Sequence, residues 1–471
     1  MSRAEFEALA DRPASPARRR AFFRAGETLL AAGSFASLPA LAQAPQAPPV
    51  RAMHGFADQQ GMLLWLQGAR AESLTVEVRA GEDLAAPAQS FGAEMRAAED
   101  FTTIVPIAGL EPGTKHHYVV RAADGSARAQ GRFATQPLWQ WRTDPPTVRI
   151  ATGSCNYLND FHFDRPGKPY GGGEEIFDTI AGLQPDLMLW LGDNIYLREP
   201  EYTSREGINR RYRFYRSHAR MEKLLTAAPQ VAIWDDHDFG PNDSDASYSG
   251  RGWTLEMFRR YWPIPYSPPA DGLYGAFTQG DVDLFLLDDR SYRDPDGWSE
   301  GPDKVMYGRK QMEWLKRALV YSKAPFKLVC GGSQFFNGVS RYETWARYPA
   351  EQKDLVDFLA ASRVPGVVFL SGDRHFFEGL RVERPDLYTL HEFTISPFTA
   401  GLSKPDERER ANPLLVPGSL VTERNFAMIT ITGPRGNRRL ALELFDAKGA
   451  KLYEWSVGAH DLMAPKKART A

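Results

Sequence analysis

Cysteine is scarce in this chain: Cys155 and Cys330 are the only two among 471 residues. So low a number excludes a disulfide-built scaffold, which relies on several bridges in a much shorter chain. No apolar run reaches the roughly 20 residues that a membrane-spanning helix requires. Neither sign of charge dominates, with 57 Lys/Arg against 59 Asp/Glu and a net charge of −2 at pH 7. A surface so balanced offers no broad basic face to nucleic acid or to an acidic membrane. What is present is ordinary for a globular protein, 43% hydrophobic and 25% charged residues. The length suits two or three domains, with two the first expectation.

Residues 1–42 read as an export leader. Arg18-Arg19-Arg20-Ala21-Phe22-Phe23-Arg24 has the form of a twin-arginine core, and Leu29 to Ala42 is a short, moderately apolar stretch ending in Ala40-Leu41-Ala42. Such small residues suit cleavage before Gln43. Losing this leader removes six Lys/Arg and four Asp/Glu and takes the net charge from −2 to −4. The expectation is a periplasmic or secreted protein with the twin-arginine machinery as its export partner. No span remains in the mature chain.

A Pro/Ala-rich linker at 43–49 leads into a region, 50–138, patterned as short strands. Leu74, Val76 and Val78 alternate with Thr75, Glu77 and Arg79, the period-two signature of a half-buried strand. Asp124-Gly125 marks a hairpin turn. Leu110-Glu-Pro-Gly-Thr with Tyr118 after it resembles the corner of a fibronectin-type sandwich, and His116 and His117 are expected on its surface. This small all-β domain is expected to pack on the rest rather than to react. Pro145-Pro146 then closes the boundary.

From 146 to 460 strands alternate with helices. Apolar strands are predicted at 148–153, 187–191, 230–234, 282–287, 326–330 and 366–370, with helices at 173–183, 204–227, 308–322 and 349–363. Further strands at 390–396, 426–432 and 438–445 point to two sheets packed face to face with helices outside. Tyr212, Phe214 and Tyr215 interleaved among the arginines of 204–227 point to one buried and one solvated face rather than a basic patch, and Gly171-Gly-Gly is read as turn chemistry rather than a phosphate cradle.

Four of these strands end in residues able to hold a metal. Pro185–Tyr196, PDLMLWLGDNIY, exits into Asp193 and Tyr196; the strand at 148 exits into Gly-Ser-Cys155; Val231-Ala-Ile-Trp exits into Asp235-Asp236-His237-Asp238; and Val367-Val-Phe-Leu exits into Ser371-Gly-Asp373-Arg374-His375. One Gly-Asp at a strand end is common turn chemistry. Four at the same end of their strands form a constellation, because open α/β sheets place ligands there. So many acids in a desolvated cleft also call for a cation. Cys155 is either a soft ligand or half of a bridge to Cys330, which sits in an apolar strand and reads as a packed thiol. Asp288-Asp289-Arg290 ends a fifth strand and reads as a supporting pair.

The order Cys155, Gly192-Asp193-x-x-Tyr196, Trp234-Asp-Asp-His-Asp and Ser371-Gly-Asp-x-His375 resembles the alkaline phosphatase D family, the PhoD-like metallophosphatases. Arg210-Arg-Tyr-Arg-Phe-Tyr-Arg and Gly308-Arg-Lys-Gln-Met-Glu-Trp-Leu continue the likeness, over about residues 50–450. The resemblance implies an αββα catalytic sandwich preceded by an immunoglobulin/fibronectin-like domain. It also implies hydrolysis of phosphate monoesters or diesters by metal-bound hydroxide. Asp193 matches the bridging aspartate. Cys155, Tyr196 and His375 then face a ferric ion, since thiolate and phenolate suit iron. Asp235, Asp236 and Asp373 offer hard oxygens to calcium.

His237 is a candidate to protonate the leaving alkoxide or to orient a ligand, and Asn242 matches a position that contacts phosphate. Arg374 either grips phosphate or pairs with Asp238, the second reading being preferred. The competing functions are a phospholipid or polymer phosphodiesterase and, from another class, an inactive calcium-binding surface module.

Overall fold

Alternating residues build the first layers. The structure, a computed structural model, describes residues 49–465 other than 82 and 84. Strands β1 (Arg51–Ala57), β2 (Met62–Gln67), β3 (Glu72–Ala80), β4 (Gln89–Met95), β5 (Thr102–Ile107), β6 (Lys115–Ala122) and β7 (Ala127–Ala134) form two antiparallel sheets ordered β1-β2-β5 and β4-β3-β6-β7. Leu64, Leu66 and Val105 from one sheet meet Leu74, Val76, Val78 and Val120 from the other in a shared core. The β6–β7 hairpin turns at Gly125, where φ is +82°.

Two expectations fail here. His116 is buried and stacked on Phe133, because the alternation that turns Tyr118 and Val120 inward turns His116 inward too. Tyr118 makes no fibronectin-type corner; its hydroxyl lies 3.1 Å from His54 Nε2 within the sandwich.

The sandwich packs on the following layers through Trp65, whose indole donates to the Arg260 carbonyl at 2.9 Å, and through Arg51, paired with Glu222 at 2.6 Å. Trp65 and Met53 belong to the core cluster of the neighbouring helices.

Along the chain next come β8 (Val148–Gly153), α1 (Glu175–Leu183), β9 (Leu187–Leu191), α2 (Arg205–Arg216), α3 (Ala219–Ala227), β10 (Gln230–Ile233), the one-turn α4 (Asp236–Phe239) and α5 (Arg251–Tyr261). Then follow β11 (Gly275–Gln279), β12 (Val282–Leu286), α6 (Arg309–Tyr321), β13 (Phe326–Cys330), α7 (Pro349–Ser362), β14 (Val367–Ser371), β15 (Glu378–Val382) and β16 (Leu390–Thr394). A short α8 (Glu407–Arg410) precedes β17 (Asn425–Thr432), β18 (Arg439–Asp446) and β19 (Lys451–Gly458). One six-stranded sheet runs β10-β9-β8-β17-β18-β19 and the other β11-β12-β13-β14-β16-β15. Their apolar inner faces share one core, with Ile150, Leu189 and Ile429 against Leu284, Leu328 and Phe369. The helices lie outside, which gives the expected αββα sandwich.

The predicted helix 204–227 is two helices. Ser217 N–H still bonds back to the Arg213 carbonyl, but His218 is extended (φ −78°, ψ 122°) and starts α3 in a new direction. The arginines of α2 divide between a buried and a solvated face. Arg211 is buried on Glu201 (2.8 Å) and Asp160 (3.3 Å), and Arg216 is buried with its guanidinium 4.3 Å from the Trp262 ring centre. Arg211 with Glu201 locks the loop after β9 onto α2, and Arg198 with Asp164 ties it to the loop after β8.

Candidate metal centre at the strand exits

The parallel strands β8, β9, β10 and β14 all deliver their carboxyl ends to one edge of the sandwich. The chain leaves them in strained turns: Cys155, Asp193, Asp373 and His375 have φ of 60°, 51°, 71° and 58°. Left-handed backbone at non-glycine residues costs on the order of 1–3 kcal/mol each and gathers at functional sites. Gly192 must be glycine for a second reason besides its φ of +88°, since a Cβ there would lie 2.6 Å from Asp235 Cβ.

On one side of the cleft Cys155 Sγ stands 3.5 Å from Asp193 Oδ2, and the Tyr196 hydroxyl donates to the same oxygen at 2.9 Å. Tyr196 also lies 3.0 Å from His375 Nε2. Ligand atoms of Cys155, Asp193 and His375 fall within 4.8 Å of one another. Burial first, and then the Asp193 carboxylate, push the Cys155 thiol and the Tyr196 phenol well above their ordinary ranges. Burial pulls His375 down to about 3, so its imidazole is neutral and free to coordinate.

Asp193 belongs equally to the other side. Asp193, Asp236 and His237 form a second group within 4.8 Å, and Asp235, Asp236 and Glu343 a third. Burial and the repulsion of neighbouring acids raise Asp193 and Asp373 well above the carboxylate range. Asp235 is raised by burial despite Arg290, whose Nε donates to it at 2.7 Å. Burial raises Asp236 as well, but His237 and Arg290 outweigh it and hold the group low.

Arg290 and Glu343 are the supports that hold this corner. Arg290 is wholly buried and forks between Asp235 and Glu343, which in turn takes Arg293 at 2.7 Å. The Asp-x-Arg at the exit of β12 signalled Arg290. Nothing in the sequence signalled Glu343, which reaches in from the irregular segment between β13 and α7, nor Tyr170, which touches His375 from the loop after β8.

The remaining candidates divide. The His237 ring lies 4.1 Å from that of Tyr196, with Nδ1 buried and unpartnered. Asn242 is exposed in the loop after α4; its neighbour Asp243 donates its N–H to Asp236 at 2.7 Å. Arg374 does not pair with Asp238. It pairs with Glu409 and lies 4.3 Å from the Tyr342 ring centre, while its charge still draws Asp373 downward against burial. Asp238 needs no cation, because the Asn194 and Asp235 N–H groups donate to it at 3.1 and 3.2 Å and clamp two strand exits together. The bridge between the cysteines is also absent: both are free, and Cys330 is packed in β13.

These residues fit a pair of cations. Asp235 Oδ2, Asp373 Oδ2 and His237 Nδ1 are buried without any hydrogen-bond partner. An orphaned buried oxygen is costly unless an ion or water completes it. One donor set mixes sulfur, phenol, imidazole and carboxylate; the other is mostly carboxylate. The asymmetry matches unlike ions.

The architecture is that of the metallophosphoesterase fold. The profile of the PhoD-like phosphatases matches residues 150–429, and the chain belongs to that family. It is 24% identical over 364 residues to alkaline phosphatase D of Bacillus subtilis (strain 168), covering 65% of this chain and 57% of the relative. It is 26% identical over 169 residues to human tartrate-resistant acid phosphatase type 5, covering 34% of this chain and 47% of the relative. The chain thus spans about half the length of these curated relatives. In fold it resembles the solved structure of PhoD, with TM-score 0.70, 19% identity and coverage of 88% of this chain and 94% of that one. Purple acid phosphatase PPD1 from yellow lupin (Lupinus luteus) seeds follows with TM-score 0.64, 11% identity and coverage of 90% and 78%. Among the described residues no helix is long and apolar enough to cross a membrane.

Proposed function

We propose that this chain hydrolyses phosphate esters outside the cytoplasm, using ferric iron on the Cys155 side of Asp193 and calcium on the Asp236 side. The observation that carries this reading is the cluster of buried carboxylates at the exits of β9, β10 and β14, where Arg290 and Arg374 are each shared with a further acid. Cys155, Tyr196 and His375 would hold the first ion, Asp235, Asp236 and Asp373 the second, and Asp193 both. When bound, the two cations supply the positive charge that activates water and neutralises phosphoryl oxygens.

The side chains do the rest. Asp193 fixes the separation of the two halves of the cleft. His237, half-buried with a free Nδ1, can return a proton to the leaving alkoxide. Asn242 on its exposed loop can donate to the phosphoryl group from the solvent side. Arg374 serves the wall of the cleft through Glu409 rather than the phosphate. The thiol and imidazole argue against a structural calcium module, which would take oxygen donors only.

The domain reading accompanies this proposal, with 50–138 as an accessory sandwich and 146–460 as the catalytic part. The leader at 1–42 lies outside the described residues, and twin-arginine export to the periplasm or beyond rests on its sequence.

Asp373→Asn tests the site. Turnover of an aryl phosphate diester and monoester should fall at least about 100-fold, beyond what loss of an outer-sphere partner costs. The melting temperature of the metal-free protein should hold or rise, because a repelled buried carboxylate is gone. Parental turnover in this variant would remove Asp373 from the site.

A further inference from the structure

His375 is gripped from two sides. Its Nε2 faces Tyr196 and the metal-binding cleft, while its Nδ1 lies 3.0 Å from the hydroxyl of Tyr170. Tyr170 comes from the loop between β8 and α1, remote from every motif that pointed to the site. The loop is built to place it. Tyr157 packs edge-on against Tyr170 at 4.8 Å and against Tyr196 at 5.0 Å, so the three rings form one bracket. Arg424 ties the loop down: its Nε donates to the carbonyls of Thr399 (3.2 Å) and Ala400 (3.1 Å), and Nη2 reaches the Tyr170 carbonyl at 3.5 Å.

This brace also accounts for the glycine run that reads as a plain turn in the sequence. At Gly173 φ is +71°, and a Cβ would meet Arg424 Cδ at 2.7 Å. At Gly401 a Cβ would lie 2.4 Å from the Tyr170 ring, so the ring occupies the space that glycine leaves.

Resting on the metallophosphatase reading, we infer that Tyr170 is a positioning residue for His375. An imidazole that coordinates through Nε2 must carry its proton on Nδ1, and that N–H needs an acceptor. A hydroxyl both donates and accepts, so Tyr170 partners Nδ1 whether or not the ion is bound. Its hydrogen bond fixes the ring plane and the tautomer that present Nε2 to the cleft. Tyr170 is 46% exposed as a residue and so sits at the rim of the cleft, outside the hydrophobic core, with its hydroxyl turned inward to His375.

The test is Tyr170→Phe, which removes one oxygen and keeps the ring. Parent and variant are loaded with ferric iron and calcium, and release of each metal to excess chelator is followed by elemental analysis and by visible absorption. The expected result is iron release about 10–100-fold faster in the variant, with calcium release and the metal-free melting temperature unchanged. Gly401→Ala, which displaces the ring and keeps the hydroxyl, should speed iron release in the same direction. Parental iron release in Tyr170→Phe overturns the inference, as does a lowered metal-free melting temperature that accounts for the faster release. A parent protein that holds both metals yet turns over no phosphate ester would instead sink the hydrolase reading, leaving the comparison of release rates intact.

Discussion

Cys155 and Cys330 are the same residue, equally buried and both free, with opposite surroundings. Around Cys155 stand the hydroxyls of Ser154 (3.3 Å) and Ser396 (3.1 Å) and the Asp193 carboxylate; around Cys330 lies the apolar core, its thiol donating to the Leu328 carbonyl at 3.6 Å. Cys155→Ser should therefore lose the visible band of the iron-loaded protein and most of its iron, with little change in metal-free stability. Cys330→Ser should keep band and metal but destabilise the fold by about 1–3 kcal/mol, since a hydroxyl replaces a packed thiol. Absorption spectra and denaturant unfolding of both variants check the contrast. The ligand-type residues were legible because each follows an apolar strand directly. Residues that act from irregular segments, Glu343 and Tyr170, carry no periodicity and were not. Arg374 was misread because sequence adjacency to Asp373 and His375 says nothing of side-chain direction where the backbone on either side is left-handed.

Among the elements, the exit of β12 shows most clearly how a strand end is held. Arg290 lies fully buried between Asp235 and Glu343. Arg290→Met strands both acids and should cost about 3–5 kcal/mol in denaturant unfolding. The double variant Arg290→Met/Glu343→Leu should recover part of that loss, because one stranded charge is gone; a double variant weaker than the single would refute the pairing. Strand β1 supplies a pH dependence of its own. Burial pulls His54 down from 6.5 to about 4, so the folded state prefers the neutral ring. Its contribution is whole above pH 6.5 and drains away as the pH falls towards 4, with a linkage on the order of 3 kcal/mol. His54→Gln should flatten that part of the stability profile measured by urea unfolding from pH 7 to 4. Elements with strong patterns, β3, β9 and α7, were predictable. Strands β11, β15 and β19 were not, since β15 buries Glu378 and β19 alternates without a continuous apolar run. The break between α2 and α3 was hidden because Ser217 and His218 interrupt no periodicity.

For the whole molecule, the αββα order was legible from the alternation of strands and helices, whereas the insertion of β17 beside β8 was not, because distant pairing leaves no local trace. Export is tested on the full-length chain. With Arg19 and Arg20 both changed to Lys, precursor of uncut length should accumulate in the cytoplasm; mature protein outside the cell would refute the twin-arginine reading. That long-range pairing has a kinetic consequence. β8, which carries Cys155 at its exit, is flanked on one side by β9 and on the other by β17, with Ala151 opposite Met428. Half of the support for that exit is thus synthesised long after β8 itself, and closing so long a loop is slow. A nascent chain released before residue 425 would have its acids and its thiol without the register that brings them together. Metal capture should therefore mark a late phase of folding, and a bound ion would serve the cell as a seal on a correctly paired sheet.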